Sequence, residues 1–149
     1  MFTNIKTQFS AISIPEQQNN EAVNTADRFK KIKRIKKNGL YPLNIEDEVV
    51  VGKICYFKDR VELLKLRTLK GDNFFENNGS SLFYITDNSI DIIADGHKKI
   101  KIKDIISVED KNKTLEIVIL NRQTPYYFKS DDAILISIII QEVQTKYKV

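Results

Sequence analysis

The chain has one cysteine, one histidine and no tryptophan among its 149 residues. A lone cysteine, Cys55, excludes an internal disulfide and supplies no zinc-ligand pattern. It lies in the apolar run from Val49 to Phe57 and is expected to be a buried structural thiol, the usual fate of a free cysteine. Such usage fits a reducing cytoplasm. A single histidine, His97, follows Asp95-Gly96 in a turn and is expected to be solvated. One turn histidine and one strand cysteine do not make a Ser-His-Asp or Cys-His relay. Asp87, Asp91 and Asp95 are spaced by four, which strand alternation would scatter. Calcium-loop spacing and a Gly-rich phosphate loop are both missing. No stretch approaches the ~20 apolar residues of a membrane span, and Met1 to Pro15 lacks the continuous apolar core of a signal peptide. The expectation is a non-catalytic protein without metal or cofactor, cytoplasmic or peripheral at the inner face of the cell membrane.

What is present is unevenly placed. The net charge is +4, yet seven of the ten residues from Arg28 to Lys37 are basic. The rest of the chain holds 17 basic against 20 acidic residues, a net charge of −3. One local patch makes the protein basic, and such asymmetry speaks of partners. The high Lys, Ile and Asn content resembles the output of an AT-rich bacterial genome.

Length fits one domain, residues 40–149, preceded by a tail, residues 1–39. In the tail, Phe2, Ile5, Phe9 and Ile12 recur at spacings of three and four, one face of a helix that Pro15 stops. This segment is either a docking helix or a loose terminus. Glu16 to Glu21 is polar and reads as linker. Residues 27–38 read as a short helix with Asp27 as N-cap and Gly39 as C-cap. Phe29, Ile32 and Ile35 share one of its faces.

From Leu40 the period shortens to that of strands. Val49 to Phe57 reads as a strand, Asp59-Arg60 as a turn, Val61 to Leu69 as a second strand and Lys70 to Ser80 as a loop. A ladder follows. Ser81 to Thr86 and Ser89 to Ala94 flank an Asp87-Asn88 turn. Asp95-Gly96 is a tight turn in which glycine would take positive φ. Lys99 to Lys103 alternates, with Ile100 and Ile102 inward. Ile105 to Glu109, Thr114 to Leu120 and Pro125 to Lys129 complete the set. A final helix starts at Ser130 as N-cap, with Asp131 and Asp132 at its positive end and Lys146 and Lys148 near its negative end. Ile136, Ile139, Ile140 and Val143 form a face that can cover a sheet. Ile134 and Ile138 point elsewhere, so the helix is too apolar for a single stripe. Either it is deeply buried, or Ile134, Ile138 and Gln141 meet a partner or a second copy of the chain.

The fold class predicted is mainly β with flanking helices: about seven strands capped by a C-terminal helix. Gly79 to Ile93, with its apolar strand and Thr-Asp-Asn turn, resembles the signature hairpin of bacterial pleckstrin-homology-like and GRAM-like domains. Lys98 to Val108, Tyr127-Phe128-Lys129 before the aspartate-capped helix, and Gly52 to Phe57 are similar to further strands of that group. The resemblance covers roughly Leu43 to Tyr147. It implies a barrel of two packed antiparallel sheets closed by the helix, a scaffold of binding proteins. Ser89 stands where the group has a basic residue after the turn, with Asp91 beside it, which removes a positive charge from the hairpin. The resemblance also places a loose anion-binding pattern on Lys58 and on Lys65-Leu66-Arg67, where clustered cations suit phosphate.

The leading expectation is a module for protein–protein interaction or self-association. The alternative is a peripheral adaptor that binds anionic lipid through helix 28–37, using Lys30, Lys31, Lys33 and Arg34 with Lys58, Lys65 and Arg67. Nucleic acid is the least favoured partner, because no stacking platform or reading motif accompanies the basic helix.

Overall fold

The computed structural model describes residues 16–148, with side chains from Thr25 onward. The expected helix face of Phe2, Ile5, Phe9 and Ile12 lies outside the described residues. Helix α1 spans Glu16–Asn38. Seven strands follow: β1 (Cys55–Leu69), β2 (Asp72–Thr86), β3 (Ser89–Ile93), β4 (His97–Lys101), β5 (Ile105–Lys111), β6 (Thr114–Ile119) and β7 (Tyr126–Lys129). Helix α2 (Ala133–Lys146) comes last, and Glu48–Val50 and Ile102–Asp104 are single 3-10 turns.

The architecture is mainly β, as the ladder predicts, but it forms one continuous antiparallel sheet in the order β4-β3-β2-β1-β7-β6-β5. The two edge strands, β4 and β5, are neighbours in sequence, joined only by Ile102–Asp104. A flat seven-stranded sheet would be about 29 Å across. Three linking residues bridge at most about 14 Å between the flanking Cα atoms. The sheet therefore curls so that its edges approach at this end. Register shifts at Cys55/Phe57, Glu62/Leu64 and Ile105/Ser107 mark bulges in the bending strands, the usual device for sharpening local twist.

The concave side holds the core. Phe57, Val61, Phe83, Ile85, Ile90, Leu115, Ile117 and Phe128 line it, and Ile136, Ile139, Ile140 and Val143 of α2 enter it. Phe83 packs edge-on against Phe57 and Phe128, with ring centroids 6.3 and 5.2 Å away. The α2 face expected to cover a sheet does so. Tyr147 secures the chain end: its hydroxyl shares a 2.5 Å hydrogen bond with that of Tyr56. Burial, and then this bond, push the Tyr56 hydroxyl well above the ordinary tyrosine range.

Several boundaries differ from expectation for identifiable reasons. Glu16 to Glu21 is helical, and Asp27 lies inside α1 instead of capping it. The helix does end as predicted: Gly39 has φ 84° and its amide donates to Ile35 O at 2.8 Å, the geometry of a glycine C-cap. Only part of the proposed α1 face docks. Ile35 is buried in the core and Ile32 packs against it, whereas Phe29 is 61 % exposed. Val49 and Val50 fall in a 3-10 turn, and the first strand starts at Cys55. No turn occurs at Asp59-Arg60, and residues 72–80 are strand. Lys70 and Gly71 make the reversal with φ of 52° and 85°, the two-residue turn that matches strand twist. Asn112 and Lys113 do the same between β5 and β6, at 51° and 69°. Gly96 is not among the glycines with positive φ. Asp132, not Ser130, is the N-cap position of α2; Ser130 Oγ instead accepts the Asp132 amide at 3.0 Å.

The two faces of α2 should answer differently to truncation. Ile136→Ala is expected to cost about 3 kcal/mol in urea unfolding, as for a buried isoleucine with little room to relax. Ile134→Ala, at a side chain 55 % exposed, should stay within about 0.5 kcal/mol of the parent.

Candidate functional site

The sequence candidates fall on three elements: α2, α1 and β1. On α2, Ile134 is exposed and Gln141 bonds Ser137 Oγ from Nε2 at 3.3 Å, while Ile138 is half-buried against the core. The apolar excess of α2 thus divides between a core contact and one exposed isoleucine. On α1, Arg28 pairs with Asp132 and Asp131, and Arg34 stacks 4.1 Å over the Tyr41 ring. Lys30, Lys31 and Lys33 are exposed. On β1, Lys58 is held by Asp47 at 2.6 Å and Arg67 by Glu76 at 3.1 Å, while Lys65 lies opposite Glu76. Lys58 does not join Lys65 and Arg67 in one anion cradle. Carboxylates already occupy two of the three.

The convex side carries a feature that the sequence pattern hides. The connection from α1 to β1 runs across β1 to β3 as a strap. Val50 of the strap makes a small second core with Cys55 and Tyr84, against which Ile45, Val49, Leu82 and Ile93 pack. Two ionic pins hold it. Asp47 accepts from Lys58 and from the Tyr84 hydroxyl at 2.8 Å. These bonds, Lys58 first, hold the Asp47 carboxyl below its ordinary range. Asp91, fully buried, accepts from Lys53 Nζ at 3.2 Å, Ser89 Oγ at 2.8 Å and His97 Nε2 at 2.7 Å. Burial works to raise the Asp91 carboxyl; the bonds from His97, Ser89 and Lys53 outweigh it and hold the group below the usual value. His97 is therefore engaged, not simply solvated. The hairpin that lacks a cation in sequence receives one in space, from Lys53.

Ser89, Asp91 and His97 do not form a nucleophilic relay. Ser89 Oγ donates to Asp91, not to the histidine, and Ser89 is 1 % exposed. A relay needs the base on the nucleophile. The cluster is a structural pin. Among the described residues there is no group of three or more His, Cys, Asp or Glu side chains placed to hold a metal. No described helix is long and apolar enough to cross a membrane.

The more open surface is built by β1 and β2. Each is 15 residues long, but β7 pairs with β1 only at Glu62–Leu64 and β3 with β2 only at Leu82–Ile85. Beyond those points the two strands pair only with each other. Every residue from 65 to 80 is exposed. The ribbon displays Leu66, Leu69, Phe74 and Phe75 to solvent. Leu66 and Phe75 are cross-strand partners and so share a face. Phe75 meets Tyr127 at 4.9 Å between ring centroids.

That face runs into a groove of about 1150 Å³ at the mouth of the curled sheet. Leu64, Leu66, Pro125, Tyr126 and Tyr127 supply its apolar wall. Arg60, Lys65, Lys98 and Arg122 line it as well, against one carboxylate, Asp95. Lys98 and Arg122 approach the Tyr126 ring at 5.0 and 3.9 Å. None of these four cations has an ion pair among the described residues. Sequence reading divided β1 at Asp59-Arg60 and took residues 70–80 for a loop, so it missed both ribbon and groove. The one available signal was Lys70-Gly71 between Leu66-Leu69 and Phe74-Phe75. No family model matches the chain, and no curated protein matches it.

The Asp91 pin has a measurable pH signature. Its carboxyl is lower in the folded than in the unfolded chain, so its stabilisation is complete above the unfolded carboxylate range, near pH ~4, and is lost as pH falls through the folded value. Asp91→Asn should cost about 3 kcal/mol at neutral pH, because the half-buried Lys53 ammonium loses its counter-ion. Urea titrations from neutral pH downward should show a shallower acid slope for the variant. The burial that raises the Cys55 thiol above its usual range should make it react with a soluble disulfide reagent only at the rate of unfolding.

Proposed function

We propose that this chain is a non-catalytic protein-binding module on a pleckstrin-homology-like barrel. The partner is an extended segment of another protein in which apolar side chains alternate with carboxylates. The observation that carries the reading is the continuity of the ribbon face with the cationic groove. Leu64, Leu66 and Phe75 pass into Tyr127, Tyr126 and Pro125, flanked by four cations that have no ion pair among the described residues. An apolar surface of this kind on a two-stranded ribbon is unusual unless something covers it. The free backbone edges of the ribbon suit strand addition, in which main-chain bonds give affinity and alternate side chains give specificity. Charge selects the partner. The ribbon between residues 64 and 77 carries Lys65, Arg67 and Lys70 against Asp72 and Glu76, so a second ribbon offers the cationic groove no charge complement, whereas an acidic segment does.

The barrel assignment draws on the curl that the β4–β5 link forces and on the helix that directly follows the last strand. The sequence resemblance from Leu43 to Tyr147 points the same way.

Selection of the full chain against a random peptide display library tests the proposal. Enriched peptides should alternate apolar residues with Asp or Glu. The two substitutions Leu66→Ser and Phe75→Ser, and separately Lys98→Glu with Arg122→Glu, should each weaken binding about tenfold or more, roughly 1.4 kcal/mol. Circular dichroism should be unchanged. Peptides without carboxylate bias, or binding indifferent to both pairs of substitutions, would overturn it.

A further inference from the structure

The exposed half of α1 has an orientation that its sequence alone does not reveal. Arg28, Ile32 and Ile35 are the positions that tie the helix down: Arg28 to Asp131 and Asp132, Ile32 and Ile35 to the core. They are spaced by four and three, one line along the helix. Lys30 and Lys37 each stand two residues beyond a member of that line, a rotation of about 200°, and Lys33 completes the same outward row. Lys36 lies on one flank of the row and Arg34 on the other, with Arg34 reaching back to Tyr41. Lys30, Lys33, Lys36 and Lys37 are exposed and have no ion pair among the described residues. Phe29, on the flank that Lys36 shares, is 61 % exposed.

A docked helix that turns a row of lysines outward and leaves a phenylalanine in water beside them has two needs at once. It needs negative charge across a surface, and it needs an apolar layer just beneath that charge. An anionic lipid bilayer supplies both: headgroup phosphates and carboxylates for the lysines, and the acyl boundary for Phe29. A nucleic-acid backbone supplies the charge alone.

We infer that the outward row of α1, Lys30, Lys33 and Lys37 with Phe29 at its side, is a docking surface for an anionic membrane. It lies on a different element from the ribbon and groove and does not depend on their reading. Because the body grips α1 through Ile32, Ile35 and the Arg28 pairs, membrane docking sets the orientation of the whole domain. Lys31 flanks the gripped side of the helix and contributes less than Lys30 or Lys33.

The test is flotation of the full chain with two kinds of vesicle, pure phosphatidylcholine and phosphatidylcholine containing about 30 % phosphatidylserine, at low and high salt. The parent should float with the anionic vesicles only, and less at high salt. The triple variant Lys30→Glu, Lys33→Glu, Lys37→Glu should bind weaker by about fivefold per lysine, more than a hundredfold in all. A second triple variant, Lys99→Glu, Lys101→Glu, Lys103→Glu, changes the net charge equally at exposed lysines of β4 and its link to β5. It should stay within about threefold of the parent, the scale expected of a long-range charge effect in salt. Phe29→Ser should weaken flotation while leaving its salt dependence intact. Failure of the parent to float, equal loss in both triple variants, or row-dependent binding to a DNA duplex without flotation would each overturn the inference.

Discussion

The three residues Ile102–Asp104 constrain nearly everything else in the molecule. They tie the two opposite edges of a seven-stranded sheet within a few residues of each other, and no flat sheet can satisfy that tie. Once the sheet curls, its faces become unequal. The concave side is a core that α2 fills with Ile136, Ile139, Ile140 and Val143, and α2 packs chiefly on β5, then on α1 and on the link. The convex side is covered across β1 to β3 by the strap, through Val50 packed with Cys55 and Tyr84. The strands that are too long for the curl, β1 and β2, run on past their neighbours as a free ribbon. The curl, and the core within it, thus follow from one short connection; strap and ribbon lie outside that core.

Charge is distributed to match these parts. On the strap, charges are used in pairs: Asp47 with Lys58 at the surface, and Lys53 with the fully buried Asp91, which His97 also contacts. Removing Lys53 or Asp91 is costly because the other is left largely without solvent. On the edge strand β4, Lys98, Lys99 and Lys101 are exposed, which discourages another strand from pairing there. In the groove and along the outer row of α1, cations are left without partners among the described residues. Cations with a structural task are compensated, and those on the two proposed docking surfaces are not.

Much of the fold was legible because the period-two pattern is strong where one face is buried. Ile100 was placed inward by alternation, and the β2–β3 hairpin by its Asp87-Asn88 turn. The covering face of α2 was likewise visible from its spacing. The pattern failed where both faces of a strand meet water, since residues 72–80 mix asparagine, glycine and serine with only two phenylalanines and look like a loop. It failed again at Asp59-Arg60, where bulges on either side leave three successive exposed residues inside a continuous strand. The Asp91 pin was illegible because it joins residues 36 and 38 positions apart through Lys53, and no local signal reports a partner at that distance. The candidate cations were a mixed case. Composition located the basic helix but not which of its lysines face outward, because that depends on where Arg28, Ile32 and Ile35 are gripped.

Amide hydrogen exchange of the full chain, alone and with a selected carboxylate-rich peptide, tests most directly whether β1 and β2 leave the sheet to form a docking ribbon. In the free chain, amides between residues 65 and 78 should exchange far faster than those of 81–86 and 115–118. A lone two-stranded ribbon opens at little cost, whereas the curled sheet opens only with the whole domain. Adding the peptide should slow the ribbon amides and leave the core unchanged. Ribbon amides as protected as the core in the free chain, or untouched by a bound peptide, would contradict the account.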